Sequence, residues 1–411
     1  MRREILSSEL ISVATVVVVL VLAASAFAAR DERTLYSFSG GNDGSGPQGT
    51  LVADTAGNLY GTTYYGGGSN QCGGGCGTVF ELTPQSDGHW TESVLYQFSN
   101  GATGAFPNGG LVFDSSGNLY GSTQTGGIDY GGGVVFELSP SSDGWSATTL
   151  YAFTGGSDGG QPYIPPIIDA NGTLYGTTRY GGGSGDGVVF ELKKSNDSWT
   201  ESVLYSFTGG RDGSFPEGLA MDPSGNLYGA ALGGGTANRG VLFELKFLNG
   251  NWKELTLHSF SGGYNGGGPS GNPVFDKGEL FGSTSYGGGG GCNQGCGIVF
   301  KLALNSRGKW TETVLHLFKD NGHDGTLPLL WFNHGPNLYG ITNGGGSFAV
   351  GTIFELLPAF DGSWVEKVLY DFTGGSDGGV PSGLMLNSGK LFGTAQEGGE
   401  NYDGVVFELT P

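Results

Sequence analysis

The chain has 411 residues, 84 of them glycine, and its 38 acidic and 18 basic side chains give a formal net charge of -20. That balance disfavours nucleic acid and anionic membrane surfaces, which need Lys/Arg patches, and permits cations, neutral glycans or basic proteins; its simplest role is solubility. Aromatics at 12% argue for a packed core, so the glycines read as turns and loop corners, not a disordered tract.

Arg2 and Arg3 open the chain, and Leu10 to Ala29 follows without a charge, mostly Val, Leu and Ala. Ala24-Ser25-Ala26 and Ala26-Phe27-Ala28 fit small-x-small cleavage sites. The pattern predicts a secretory signal peptide over residues 1–28 and a mature body over 29–411. The run also reaches bilayer-spanning length, so an uncleaved N-terminal anchor stays open.

Arg33-Thr34-Leu35-Tyr36-Ser37-Phe38 is the first of seven Leu-Tyr-x-Phe-type segments, which start at Leu35, Leu95, Leu150, Leu204, Leu257, Leu315 and Leu369. Between them one unit recurs, as in Gly110 to Thr123 and Gly218 to Gly229: an apolar segment, Asp-x-x-Gly-Asn, then Leu-Tyr-Gly. In residues 164–207 the unit reads as four strands. Strand a is Ile164 to Asp169, b is Thr173 to Thr178 after an Asn171-Gly172 turn, c is Val188 to Leu192 after a glycine loop, and d is Trp199 to Phe207. Strand d alternates, which places Trp199, Val203, Tyr205 and Phe207 on one face. Four antiparallel strands repeated seven times predict an all-β fold, a seven-bladed β-propeller. The chain begins with a lone d strand and ends with a lone c strand, Val405 to Leu409, so the N-terminal strand is expected to pair into the last blade and close the ring. Trp90, Trp145, Trp199, Trp252, Trp310 and Trp364 lead d strands in phase, as inter-blade packing residues should.

The four cysteines, Cys72, Cys76, Cys292 and Cys296, form two pairs that each frame three residues at the same place in their repeats. Behind a signal peptide they read as two local disulfides. A metal site, the rival reading, needs three or four N/S ligands, and neither loop has a nearby histidine.

The segment Asp54 to Thr63 with Val79 to Leu82 resembles the GloVer tandem-repeat family of bacterial secreted proteins, and the resemblance covers essentially all of the mature chain. Strand b followed by Gly-Gly and a later Trp also resembles kelch repeats. The resemblance implies a kelch-like propeller and brings no activity that attaches to particular residues. Units five and six depart from the pattern, at Asp276 to Phe281 and at Asn333.

Asp54, Asp114, Asp169 and Asp222 open the a–b turns, where Asp accepts local N–H bonds. A second set, Asp43, Asp158, Asp212, Asp324 and Asp377, precedes glycine between strands d and a. Up-and-down topology places the d–a and b–c loops on one face, around the mouth of the axis. Carboxylates and loop carbonyls there suit Ca²⁺, although the spacing does not match an Asp-x-Asp-x-Asp-Gly loop. The ends of the b strands vary between repeats, which makes Tyr65, Arg179, Tyr180 and Tyr286 candidate ligand residues beside the bland reading of ordinary loop variation. The five histidines fall at unrelated phases, and no Gly-x-Ser-x-Gly or His-Glu-x-x-His is present. The reading is therefore an extracytoplasmic propeller, monomeric, binding a glycan or a surface protein. The alternative is an extracytoplasmic glycan-active hydrolase or lyase using carboxylates at the mouth, and a third is a purely structural repeat protein.

Overall fold

The computed structural model describes residues 32–127, 131–196 and 198–411; the segment 1–28 expected to be a signal peptide or anchor lies outside them. Seven antiparallel sheets form a seven-bladed β-propeller with four strands per blade. The innermost strands are, from blade one to blade seven, Ser45–Ala53, Ala105–Pro107 with Val112–Phe113, Gly160–Pro162 with Ile167–Ile168, Ser214–Met221, Gly267–Asp276, Gly325–His334 and Gly379–Asn387. The last blade is completed by the N-terminal strand Glu32–Ser37, which pairs with Val405–Leu409 in the register Glu32 to Leu409 and Ser37 to Val405. Closure leaves no blade short of its outer strand.

The inner strands differ from expectation. In blade three the strand starts at Gly160, ahead of the predicted Ile164, and is broken between Pro162 and Ile167. Pro165 and Pro166 have no N–H to give the ladder, so pairing lapses there. The simple alternation of strand d also fails. The c–d register shifts between Val203 and Tyr205, leaving Leu204 as a bulge, and Val203 is 38% exposed. The same shift occurs at the leucine of all seven Leu-Tyr-x-Phe segments. A bulge re-aims the residues beyond it, and here it precedes the phenylalanine that ends the strand.

That phenylalanine is the centre of each seam. Phe38, Phe98, Phe153, Phe207, Phe260, Phe318 and Phe372 are at most 1% exposed. Each meets, at 5.0–5.2 Å, edge to face or, for Phe260, tilted, the phenylalanine of Val-Phe-Glu-Leu or its equivalent in the next blade, as Phe207 meets Phe243. Burial of such a ring is worth about 1.5–3 kcal/mol and the aromatic contact about 0.5–1.5 kcal/mol more. The glycine of Leu-Tyr-Gly makes room for it: a Cβ on Gly176 would stand 2.5 Å from Cζ of Phe190. The tryptophans pack as expected, each on the preceding blade: Trp145 on Tyr60, Trp199 on Tyr120, Trp252 on Tyr175, and Trp90 on Phe392.

A second seam lies on the b–c loop face. In all seven blades the residue before the inner-strand proline has positive φ: Gly46, Phe106, Gln161, Phe215, Gly268, Leu327 and Val380. Each donates its N–H to a carbonyl of the preceding blade's b–c loop, as Phe215 does to Asp186 at 2.9 Å and Gly46 to Asp403 at 2.8 Å. The proline that follows presses its Cδ on the last glycine of that loop. The glycine-rich loops are therefore latches between blades.

Cys72 bonds to Cys76 and Cys292 to Cys296, as the spacing predicts. Two disulfides indicate an oxidising, extracytoplasmic compartment. No helix among the described residues is long and apolar enough to cross a membrane.

Candidate functional site

The latch carries side chains onto the face. Phe106, Phe215 and Leu327 are held with positive φ, a conformation that costs roughly 1–2 kcal/mol for a residue with a Cβ. They stand beside the ends of the b strands, and together the two sets make an aromatic rim. Tyr64 stacks on Phe106 with centroids 5.0 Å apart and meets Tyr65 edge-on at 4.7 Å. The Tyr64 hydroxyl donates to Oε1 of Gln124 in blade two at 2.8 Å. Tyr180 meets Phe215 at 5.4 Å. Of the four residues singled out from the sequence, Tyr65 and Tyr180 are exposed, at 43% and 46%.

Arg179 is committed to a seam. Its guanidinium lies 3.4 Å from the ring centroid of Tyr163. Nε donates to Oε1 of Glu217 at 3.0 Å, and Nη2 donates to the same oxygen. Glu217, in the inner strand of blade four, is only 4% exposed. Burial drives its carboxyl above the usual carboxylate range, against the pull of Arg179 and of the Gly271 N–H. Truncating Arg179 would leave a buried carboxylate without its partner, a loss of about 3–5 kcal/mol.

Tyr286 has a different setting. It lines an open cleft of about 370 Å³ with Ser285, Cys292, Asn293, Gln294, Gly295, Cys296, Thr326 and Leu327. One wall is the disulfide loop of blade five and the other is the start of the inner strand of blade six. The Tyr286 ring is laid on backbone: a Cβ on Gly267 or Gly268 would stand 2.3 or 2.6 Å from it. The Arg239 guanidinium lies 5.3 Å from the ring centroid, and its Nη1 donates to Oε1 of Gln294 at 3.3 Å. The glycine platform and the arginine flank the tyrosine, and Ser285, Asn293, Gln294 and Thr326 line the same cleft. A small cleft with one fixed aromatic face and several neutral donors and acceptors suits a polyhydroxylated ligand.

The four candidates therefore lie on one face but not in one pocket: Tyr65 on blade one, Arg179 and Tyr180 on blade three, Tyr286 on blade five. Sequence reading missed Arg239, Asn293, Gln294, Tyr163 and Glu217. The last two sit directly after the inner-strand proline. That position varies through Gln48, Asn108, Tyr163, Glu217, Ser270, Leu329 and Ser382, so aligning the repeats on the proline would have exposed it.

The Asp-Gly aspartates are placed against the outer strands, not around the axis. Asp43 accepts hydrogen bonds from the Tyr36 hydroxyl at 3.0 Å, the Ser39 N–H at 2.8 Å and the Ser39 hydroxyl at 2.6 Å. Asp158, Asp212 and Asp377 repeat this set with Tyr151, Tyr205 and Tyr370 and with Thr154, Thr208 and Thr373. Local donors thus engage both oxygens of these four; Asp324 departs from them. Each aspartate also faces a glutamate of the next blade's outer strand, from Trp-x-Glu or, for Asp377, Glu32 of the N-terminal strand, which sequence reading passed over. Burial, and then the neighbouring aspartate, push Glu92 beside Asp43, Glu201 beside Asp158 and Glu32 beside Asp377 up to about 7. Where Thr103 replaces the aspartate, Ala147 replaces the glutamate, so the two carboxylates disappear together.

The a–b turn aspartates are turn residues. Asp54 Oδ1 accepts the N–H groups of Ala56 and Asn58, both at 2.9 Å, while Oδ2 accepts from the Asn58 amide and the Tyr60 hydroxyl.

Several solved structures are similar to the chain in fold. An ulvan lyase bound to -[GlcA(1-4)Rha3S]- matches with a TM-score of 0.53 and 12% identity over 92% of this chain and 95% of that one. A hypothetical selenium-binding protein from Sulfolobus tokodaii matches with a TM-score of 0.54 and 11% identity over 75% and 74%. An ancestral GH74 enzyme matches at 0.50 and 10% over 89% of this chain and 51% of that one. At such identities the likeness is one of fold. No curated protein matches the chain. The Gloeobacter/Verrucomicrobia repeat matches residues 25–163, 129–329 and 256–411, which together span every blade, and the chain belongs to that repeat family.

Proposed function

We propose that this propeller is a secreted, periplasmic or surface-exposed binding module that holds a neutral glycan on its b–c loop face, with the Tyr286 cleft as the principal site. The observation that carries the reading is the Tyr286 ring, laid on glycine backbone beside Arg239, in a cleft that Ser285, Asn293, Gln294 and Thr326 also line. The exposed rings of Tyr65 and Tyr180 offer further stacking positions on the same face. The net charge of -20 favours a neutral glycan over a polyanionic one. A hydrolase needs two carboxylates about a scissile bond. The carboxylate buried at the rim is Glu217, and its partner is a guanidinium, so binding is the better-supported role.

The test is a glycan array probed with purified residues 32–411, wild type, Tyr286→Ala and Tyr180→Ala. Saturable binding to neutral glycans, lost or strongly weakened in Tyr286→Ala and less so in Tyr180→Ala, supports a sugar-binding face centred on the cleft. Silence across the array, with capture of a purified surface protein instead, would overturn it.

A further inference from the structure

We propose that His316, Asp324 and Glu366 form a binding site for one Zn²⁺-like divalent cation at the seam between blades five and six. His316 is the penultimate residue of the outer strand of blade five, Asp324 lies in the loop to blade six, and Glu366 comes from the outer strand of blade six. One ligand atom from each residue lies within 4.8 Å of the others. Donors bound tetrahedrally at about 2.0 Å stand about 3.3 Å apart, so small side-chain rotations close the set. Nε2 of His316 is already 3.5 Å from Oδ2 of Asp324.

Comparison with the other seams shows what is special here. At four seams a tyrosine hydroxyl donates to the aspartate, and a Ser or Thr hydroxyl donates to its second oxygen. At this seam His316 replaces the tyrosine and Lys319 replaces the Ser or Thr. Asp324 is only 7% exposed, and the N–H of Gly325, at 3.1 Å from Oδ1, is its one remaining hydrogen-bond donor. Nε2 of His316 and Oε1 of Glu366 are buried without hydrogen-bond partners. A buried imidazole nitrogen and a buried glutamate oxygen, neither hydrogen-bonded, thus converge with the Asp324 carboxylate; the glutamate oxygen is equally unbonded at Glu92, Glu201 and Glu312, so the histidine–aspartate pair is what sets this seam apart. Native interiors rarely leave such groups unsatisfied. One nitrogen and two carboxylates, with water completing the shell, match the donor types of open zinc sites. The exposed His323 also acts electrostatically on Glu366. The neighbouring seam lacks this set, because Asn265 stands in place of the aspartate beside His258 and Glu312. The site is apart from the Tyr286 cleft and does not depend on the glycan reading.

The test is calorimetric titration of EDTA-dialysed residues 32–411 with Zn²⁺, with Ca²⁺ in parallel, for wild type and His316→Tyr. His316→Tyr recreates the tyrosine–aspartate seam present at four other places, so it keeps the fold. The expected result is one Zn²⁺ per chain, at least tenfold tighter than Ca²⁺, with affinity falling at least tenfold in His316→Tyr while its unfolding temperature without metal is unchanged. Absence of Zn²⁺ binding to the wild type, or Zn²⁺ binding that His316→Tyr leaves unaltered, would overturn the proposal.

Discussion

Gly187→Ala is expected to destabilise the propeller by roughly 2–5 kcal/mol, whereas Gly172→Ala, in the same blade, costs only about 1–2 kcal/mol. Both glycines have positive φ, 96° and 79°. A Cβ on Gly172 meets nothing within 4 Å, so that substitution carries only the backbone term. A Cβ on Gly187 would stand 2.3 Å from the Thr178 carbonyl and 2.5 Å from Cδ of Pro216 in the next blade. Backbone and a proline ring held in an inner strand cannot swing aside, so blades three and four must part. The parting also lengthens the Phe215 N–H to Asp186 bond across the same seam. Chemical denaturation of the two variants checks this. Equal losses would mean that the latch glycine is there for backbone conformation alone.

The pH dependence is the second large effect. Burial is the main cause that raises Glu32, Glu92, Glu201 and Glu312 to about 7, and for the first three the facing aspartate adds to it. The groups around them are Asp377 and Tyr370, Asp43 and Tyr36, Asp158 and Tyr151, and His258 with Asn265. A carboxyl whose folded value lies above its unfolded one binds its proton more tightly in the folded protein. Its contribution is fully present below the unfolded value, near 4.5, and is lost as pH rises through about 7. Asp114 and Asp222 work in the opposite sense. Burial raises them, but hydrogen bonds from Asn118 and Ser116, and from Asn226 and Ser224, outweigh it and hold both below the usual 3.8. Their contribution is lost as pH falls below that range. Stability should therefore peak between about pH 4 and 5, with Tm at pH 5 exceeding Tm at pH 8 by about 5 °C or more.

General repulsion in a chain of charge -20 pushes the same way, and one pair of variants separates the two causes. Glu201→Gln should raise Tm at pH 8 by about 2 °C and leave it unchanged at pH 5. Glu400→Gln, at an exposed position, should change neither. Equal behaviour of the two variants would assign the effect to net charge.

Blade number, closure and the tryptophan seams were legible because each rests on a motif that returns in phase. Leu-Tyr-x-Phe counts blades, and an orphan d strand at one end answers an orphan c strand at the other. The inner strands were harder to see. Gly160 to Pro162 reads as loop, because a proline preceded by a residue with positive φ does not resemble a strand until the next blade's partner is known. The exposure of Val203 was hidden by the bulge at Leu204, which alternation within one strand does not report. The cleft escaped for a different reason. Its walls come from the b–c loop of one repeat and the inner strand of the next, so no single repeat contains Tyr286, Gln294 and Leu327 as neighbours. Tyr286 was found because it varies at a b-strand end; Arg239 and Gln294 carried no such mark. The Trp-x-Glu glutamates were visible as a repeat, but only burial against the facing aspartates gives them meaning.

The claim that the Tyr286 cleft binds sugar while the glycine loops hold the ring together is tested most directly by one calorimetric titration. Residues 32–411 and the variant Tyr286→Ala are titrated with the best array glycan, each with its Tm recorded. Tyr286→Ala should weaken binding at least tenfold, which corresponds to about 1.4 kcal/mol, and leave Tm within about 2 °C of the wild type. Undiminished binding by Tyr286→Ala at unchanged Tm would contradict it and place the ligand elsewhere on the ring.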